Sequence, residues 1–143
     1  MPGTRFDLIT PSALAQAEGW FAALDRQVDW DWAGGHAAFR YRHPKRFEVS
    51  VWENERLTGL SMGRPTYNGD HLRLDVIEAR PASLGERGPV FSTVAVAYTP
   101  YGRLLNAKQL RIMNPINDAV QSYYEGFGFQ YVRRGHYLFK DLR

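Results

Sequence analysis

The sequence predicts one domain of the mixed α/β (α+β) class, with about seven short strands and about four helices over residues 1–143. Three observations carry this expectation. Apolar residues recur at helical spacing near the N-terminus, at Leu14, Ala17, Phe21 and Leu24. From Phe47 the period changes to two, with Phe47, Val49 and Val51 facing away from Glu48, Ser50 and Trp52. Helical and strand patterns then alternate to the C-terminus, separated by Gly, Pro and Asn.

Taken in order, Phe6 and Leu8 mark a short first strand that Thr10 and Pro11 close. A Thr cap before Pro at the first helical position starts a helix whose apolar face runs to about residue 25. Gly34-Gly35 is expected to break any continuation, leaving a second short helix over 36–42. Strands from Phe47, over 56–62 and over 72–79 make a meander, turned at Asn54-Glu55 and Asn68-Gly69-Asp70. After a Gly- and Pro-rich loop, residues 90–98 read as a buried helix that should kink or stop near Tyr98, because Pro100 disfavours a helix interior. A strand over 108–113 precedes a helix capped by Asn117, in which Val120, Tyr123, Tyr124 and Phe127 share one stripe. Gly128 stops that helix, and strands over 129–132 and 136–139 finish the chain.

Composition narrows the chemistry. With 44% apolar, 14% aromatic and 23% charged residues the chain has enough apolar surface for a core. The absence of cysteine excludes disulfides, thiolate metal sites and a cysteine nucleophile. His36, His43, His71 and His136 show no paired metal-ligand spacing. The N-terminal residues lack an apolar signal core, and no stretch approaches the roughly 18 apolar residues of a membrane helix, so a soluble cytoplasmic protein is expected. The net charge is +3. Its densest basic run, residues 40–46, alternates cations with Tyr41, which suits either a phosphate-contacting surface or a solvated loop.

The run K-Q-L-R-I-M-N-P-I-N-D-A-V-Q-S-Y-Y-E-G-F-G-F, residues 108–129, is similar to the closing strand-helix segment of the GNAT superfamily of N-acyltransferases. Asn117, Val120, Tyr124, Glu125, Gly128 and Phe129 match that pattern in register, and the element order follows it over nearly the whole chain. The resemblance implies a mixed, mostly antiparallel central sheet of about six to seven strands flanked by about four helices. It further implies acetyl-CoA or another acyl-CoA as cosubstrate and an amine-bearing acceptor: a small molecule, a protein or an aminoacyl-tRNA.

Acyl transfer from a thioester needs aimed donors for an oxyanion and a proton source near the departing sulfur. The resemblance assigns the proton source to Tyr124, with Tyr123 as the less favoured phenol, and implies that Asn117 touches the pantetheine arm. The strand over 72–79 corresponds to the central strand, so backbone groups of Ile77, Glu78 and Ala79 become cofactor contacts. Glu78 is the first candidate for the base that takes the amine proton, followed by Asp75 and then Glu53.

The phosphate loop departs from the family pattern, which is Gln or Arg, two residues, Gly, one residue, then Gly or Ala. Here Gly85, Glu86, Arg87 and Gly88 precede Pro89, which has no N–H to donate, and Phe91 stands where the last Gly belongs. Gly85, Arg87 and Gly88 therefore form either a divergent phosphate nest or the remnant of a lost one. Two functions follow: an acyl-CoA-dependent N-acyltransferase, or a catalytically silent GNAT-like module that binds a protein or nucleic acid. A homodimer is compatible with both.

Overall fold

A computed structural model of the chain describes residues 3–26, 28, 30–86 and 88–142. Its elements are β1 (Thr4–Asp7), α1 (Pro11–Glu18), α2 (Trp32–Arg42), β2 (Phe47–Glu53), β3 (Arg56–Pro65), β4 (His71–Ala79), a 3-10 turn (Ala82–Leu84), α3 (Val90–Leu104), β5 (Gln109–Met113), α4 (Asp118–Glu125), β6 (Gln130–Val132) and β7 (Tyr137–Asp141). The expected order of strands and helices is the observed one.

The strands form one seven-stranded sheet in the order β1-β2-β3-β4-β5-β7-β6. Every neighbouring pair is antiparallel except β4 and β5. A parallel pair needs a long crossover, and α3 supplies it. Both faces of the sheet are covered. On one, α3 and α4 bury Val94, Tyr98 and Tyr124 against Val49, Val51, Leu72 and Leu74. On the other, α1 and α2 bury Ala13, Ala17, Trp20 and Trp32 against Trp52, Leu57, Leu60 and Met62.

Three helix boundaries differ from expectation, each because tertiary packing outweighs local propensity. The first helix stops at Glu18 rather than near residue 25. Residues 19–21 and 23 continue in three-residue turns, which swing Trp20 into the core at 2% exposure and leave Phe21 and Leu24 outside. The second helix begins at Trp32, so Gly34 and Gly35 lie inside it. Trp30 packs directly on Gly35, where a Cβ would collide with its indole, so this glycine serves close approach and breaks nothing. The third helix runs through Pro100 to Leu104. The hydrogen bond lost at Pro100 is offset by burial of Tyr98 and Gly102 and by Tyr101, whose hydroxyl donates to the Lys45 carbonyl at 2.8 Å.

The sheet opens in its middle. Met62 pairs with Val76 and Gly63 with Leu74, so Asp75 is the extra residue of a bulge in β4. The parallel pairing of β4 with β5 ends at Leu74 and Ile112. Beyond that point the two strands diverge, and among the described residues the edge of β4 over 75–79 has no strand partner on that side.

Candidate active site

The divergence of β4 and β5 creates a cavity of about 400 Å³. One wall is the strand edge over 75–79, with Ile77, Glu78 and Ala79; the opposite wall is the loop between β5 and α4, with Asn114, Pro115 and Ile116. Because the gap cuts through the sheet, residues of both layers reach it. Val120 and Tyr124 come from α4, and Asp25, Arg26, Val28 and Trp30 from the segment between α1 and α2.

Tyr124 is 7% exposed, its ring 4.7 Å from that of Phe91. Burial, and then the neighbouring Tyr123, push its phenol well above the ordinary tyrosine value, so it holds its proton at neutral pH. Of the rest of the expected stripe, Val120 is partly buried against the core, while Tyr123 at 54% and Phe127 at 36% are exposed. The short α4 turns only Tyr124 fully inward.

The two carboxylates of β4 have different surroundings. Glu78 accepts from Arg26 Nε at 2.7 Å and Nη2 at 2.9 Å, and from Trp32 Nε1 at 2.8 Å. Arg26 Nη2 also donates to the Trp30 carbonyl at 2.7 Å. Asp75 accepts from Arg73 Nε at 2.6 Å through Oδ1. Its Oδ2 is buried and has no hydrogen bond among the described residues, with Arg64 Nε 3.4 Å away as a charge neighbour. Burial raises the Asp75 carboxyl above its ordinary value, against the opposing pull of Arg73 and Arg64.

The loop entering α3 holds a feature that sequence reasoning missed. Arg80 is 9% exposed, lies against Gly85 and donates through Nη2 to the Glu86 carbonyl, while its Nε is buried without a partner. Among the described residues this buried guanidinium has one carbonyl as its hydrogen-bond partner and is poorly compensated, which suits an anion above it. Gly85 (φ 138) and Gly88 (φ 63) occupy conformations that side-chained residues avoid. Gly88 also abuts Glu53, whose Oε1 would be 2.6 Å from a Cβ there. Arg87 falls outside the described residues. No side chain caps α3, whose N-cap residue is Pro89.

Of the residues singled out from the sequence, Ile77, Glu78, Ala79 and Tyr124 therefore share one cavity, joined by Asp75. Gly85 and Gly88 lie apart from it on the loop before α3. Asn117 is exposed, its Oδ1 accepting from the Val120 N–H at 2.9 Å as the helix cap. The roles of Arg26 and Trp32 had no signal in the sequence beyond an aromatic-rich segment, since their partner Glu78 is about fifty residues distant. Among the described residues no group of three or more His, Asp or Glu could hold a metal ion.

The sequence matches no family model and no curated protein. Solved structures do match. A GNAT-family acetyltransferase from Staphylococcus aureus superposes with a TM-score of 0.73 at 9% identity, covering 98% of this chain and 99% of that one. An acetyltransferase from Thermus thermophilus gives 0.70 at 14% identity over 96% of each chain. The yncA protein of Salmonella typhimurium, solved with its cofactor acetyl-CoA, gives 0.68 at 13% identity over 99% of this chain and 95% of that one. The low identities leave a likeness of fold: the polypeptide folds as the GNAT acetyltransferases do.

Proposed function

From this GNAT fold we propose that the chain is an N-acyltransferase, moving an acetyl or other acyl group from acyl-CoA to an amine. The observation that carries the proposal is the cavity at the bulge of β4, which opens to both layers of the molecule with a phenol on one wall and carboxylates on the other. Such a gap admits a thioester from the α3–α4 side and an amine from the α1–α2 side. The described residues fit the cosubstrate. Arg80 would meet the pyrophosphate beside Gly85 and Gly88, and the unpaired edge at Ile77, Glu78 and Ala79 would bond the pantetheine amides. Asn117, at the head of α4, would stand beside that arm.

The acyl-CoA supplies the thioester, and the protein handles protons and position. The amine must be neutral to attack, and Asp75, which lines the cavity and whose burial favours the protonated carboxyl, would accept its proton. Glu78, held by three donors, takes the supporting role of fixing Arg26 and Trp32 around the acceptor. As the amine nitrogen bonds to the acyl carbon and the carbon–sulfur bond breaks, Tyr124 gives its proton to the leaving thiolate. The products are an amide and free CoA.

A silent binding module is favoured by one observation, the Glu53 carboxylate beside Gly88 where a phosphate would approach. Thermal unfolding with acetyl-CoA separates the two. A ligand of the native state at 100 times its Kd stabilises by about 2.7 kcal/mol, a readily measured rise in Tm. Absence of any rise at millimolar acetyl-CoA and longer acyl-CoAs would sink the enzyme reading.

A further inference from the structure

We infer that His136 is a positioning residue that holds the cavity wall opposite β4, an inference that rests on reading this cavity as the acyl-transfer site. The wall is the short loop 114–117. Two hydrogen bonds tie it to the turn between β6 and β7, both through one residue, and a third braces that residue against β6. The Asn114 N–H donates to the His136 carbonyl at 2.9 Å, His136 Nε2 meets the Pro115 carbonyl at 2.9 Å, and His136 Nδ1 meets the Tyr131 hydroxyl at 2.7 Å. A carbonyl only accepts, so Nε2 carries the proton. In the neutral ring Nδ1 then accepts from Tyr131, and the orientation of the imidazole is set from both sides.

The backbone points the same way. His136 has φ 51, in the left-handed region where a residue with a Cβ is disfavoured by about 1–2 kcal/mol. Glycine would relieve that cost and forfeit two of the three bonds. The preceding residue is Gly135, so the turn has a glycine, yet a histidine stands at the position that touches the wall. Asn114 is itself left-handed (φ 51), and Pro115 has no N–H, so this loop has little backbone bonding of its own. Rigidity at Asn114, Pro115 and Ile116 comes instead from across the sheet edge, and these three residues line the cavity.

The test uses His136→Gly, His136→Gln and Tyr131→Phe, read by amide hydrogen exchange at Asn114 and Ile116 and by acetyl-CoA affinity from calorimetry. Glycine suits the backbone angle, so His136→Gly should keep the wild-type Tm. Its loop amides should exchange faster by about tenfold or more, with acetyl-CoA Kd rising by about tenfold. Glutamine keeps a donor near the Nε2 position and should recover most of both losses, while Tyr131→Phe should show a smaller loosening. Wild-type exchange and affinity in His136→Gly would overturn the inference, as would faster exchange spread evenly over the sheet. Failure of the wild-type protein to bind acetyl-CoA would refute the acyl-transfer reading instead, with the exchange data still deciding whether His136 holds the loop.

Discussion

Removal of one hydroxyl at Tyr124 separates chemistry from packing. Tyr124→Phe keeps the ring that fills the space beside Phe91, so stability and acyl-CoA affinity should change little, while turnover falls about 100-fold or more as expected for loss of a general acid. Tyr123→Phe, exposed and away from the cavity lining, is the control; thiol release in wild-type amounts from Tyr124→Phe would exclude the role. The carboxylates divide the same way. Asp75→Asn should depress kcat by roughly 100-fold and abolish the acidic limb of the pH–rate profile, whereas Glu78→Gln should mainly raise the acceptor KM through a loosened Arg26. The spacing from Asn117 to Gly128 made Tyr124 legible in the sequence. The sequence put Glu78 ahead of Asp75 as the candidate base, and the bulge that distinguishes Asp75 could not be read there because it is a property of the pairing with β3.

Within the elements, glycine and proline proved unreliable punctuation. Gly34-Gly35 looks like a break by propensity, yet both residues are helical and Gly35 is the seat of Trp30. Gly35→Ala should therefore destabilise the protein by about 1–3 kcal/mol in denaturant unfolding, although alanine is the better helix former. An unchanged or increased midpoint would show that Trp30 moves aside freely. Pro100 carries the same lesson. A rule about helix interiors describes a local cost, and the buried Tyr98 and Gly102 on either side outweigh it.

At the scale of the molecule, two electrostatic features make separable predictions. The Glu48 side chain is largely buried, which favours its neutral form, but the hydrogen bond from Arg46 and the charge and bond of His36 prevail and hold its carboxyl below the ordinary range. Its folded value is thus lower than its unfolded one, so its contribution to stability is present above the unfolded pKa and lost as pH falls through the depressed value. Acid unfolding should be shallower in Glu48→Gln than in wild type at pH below about 4.5, and equal slopes would remove this pair from the account. The basic run 40–46 is only partly spoken for: Arg46 is held by Glu48 at 2.7 Å, and Arg40, Arg42 and Lys45 are exposed. If the acceptor is an aminoacyl-tRNA, RNA affinity should fall steeply with salt, and Arg40→Ala with Arg42→Ala should flatten the slope by about two. Salt-independent behaviour would leave the run as a solvated helix end.

The sequence by itself determined the alternation of strands and helices, the hairpin turn at Asn54-Glu55 and the capped helix that carries Tyr124. These are local matters: side-chain periodicity and capping depend on neighbours a few residues apart. Only the tertiary structure decided that β4 is bulged at Asp75 and parts from β5 after Leu74, that Arg26 and Trp32 close on Glu78, and that His136 reaches Pro115. Register and bulges are set by the match between strands, and a buried charge takes its partner from whichever segment the core brings alongside. Such pairings join residues 21 to 52 positions apart, a separation over which the sequence holds no periodic trace of contact.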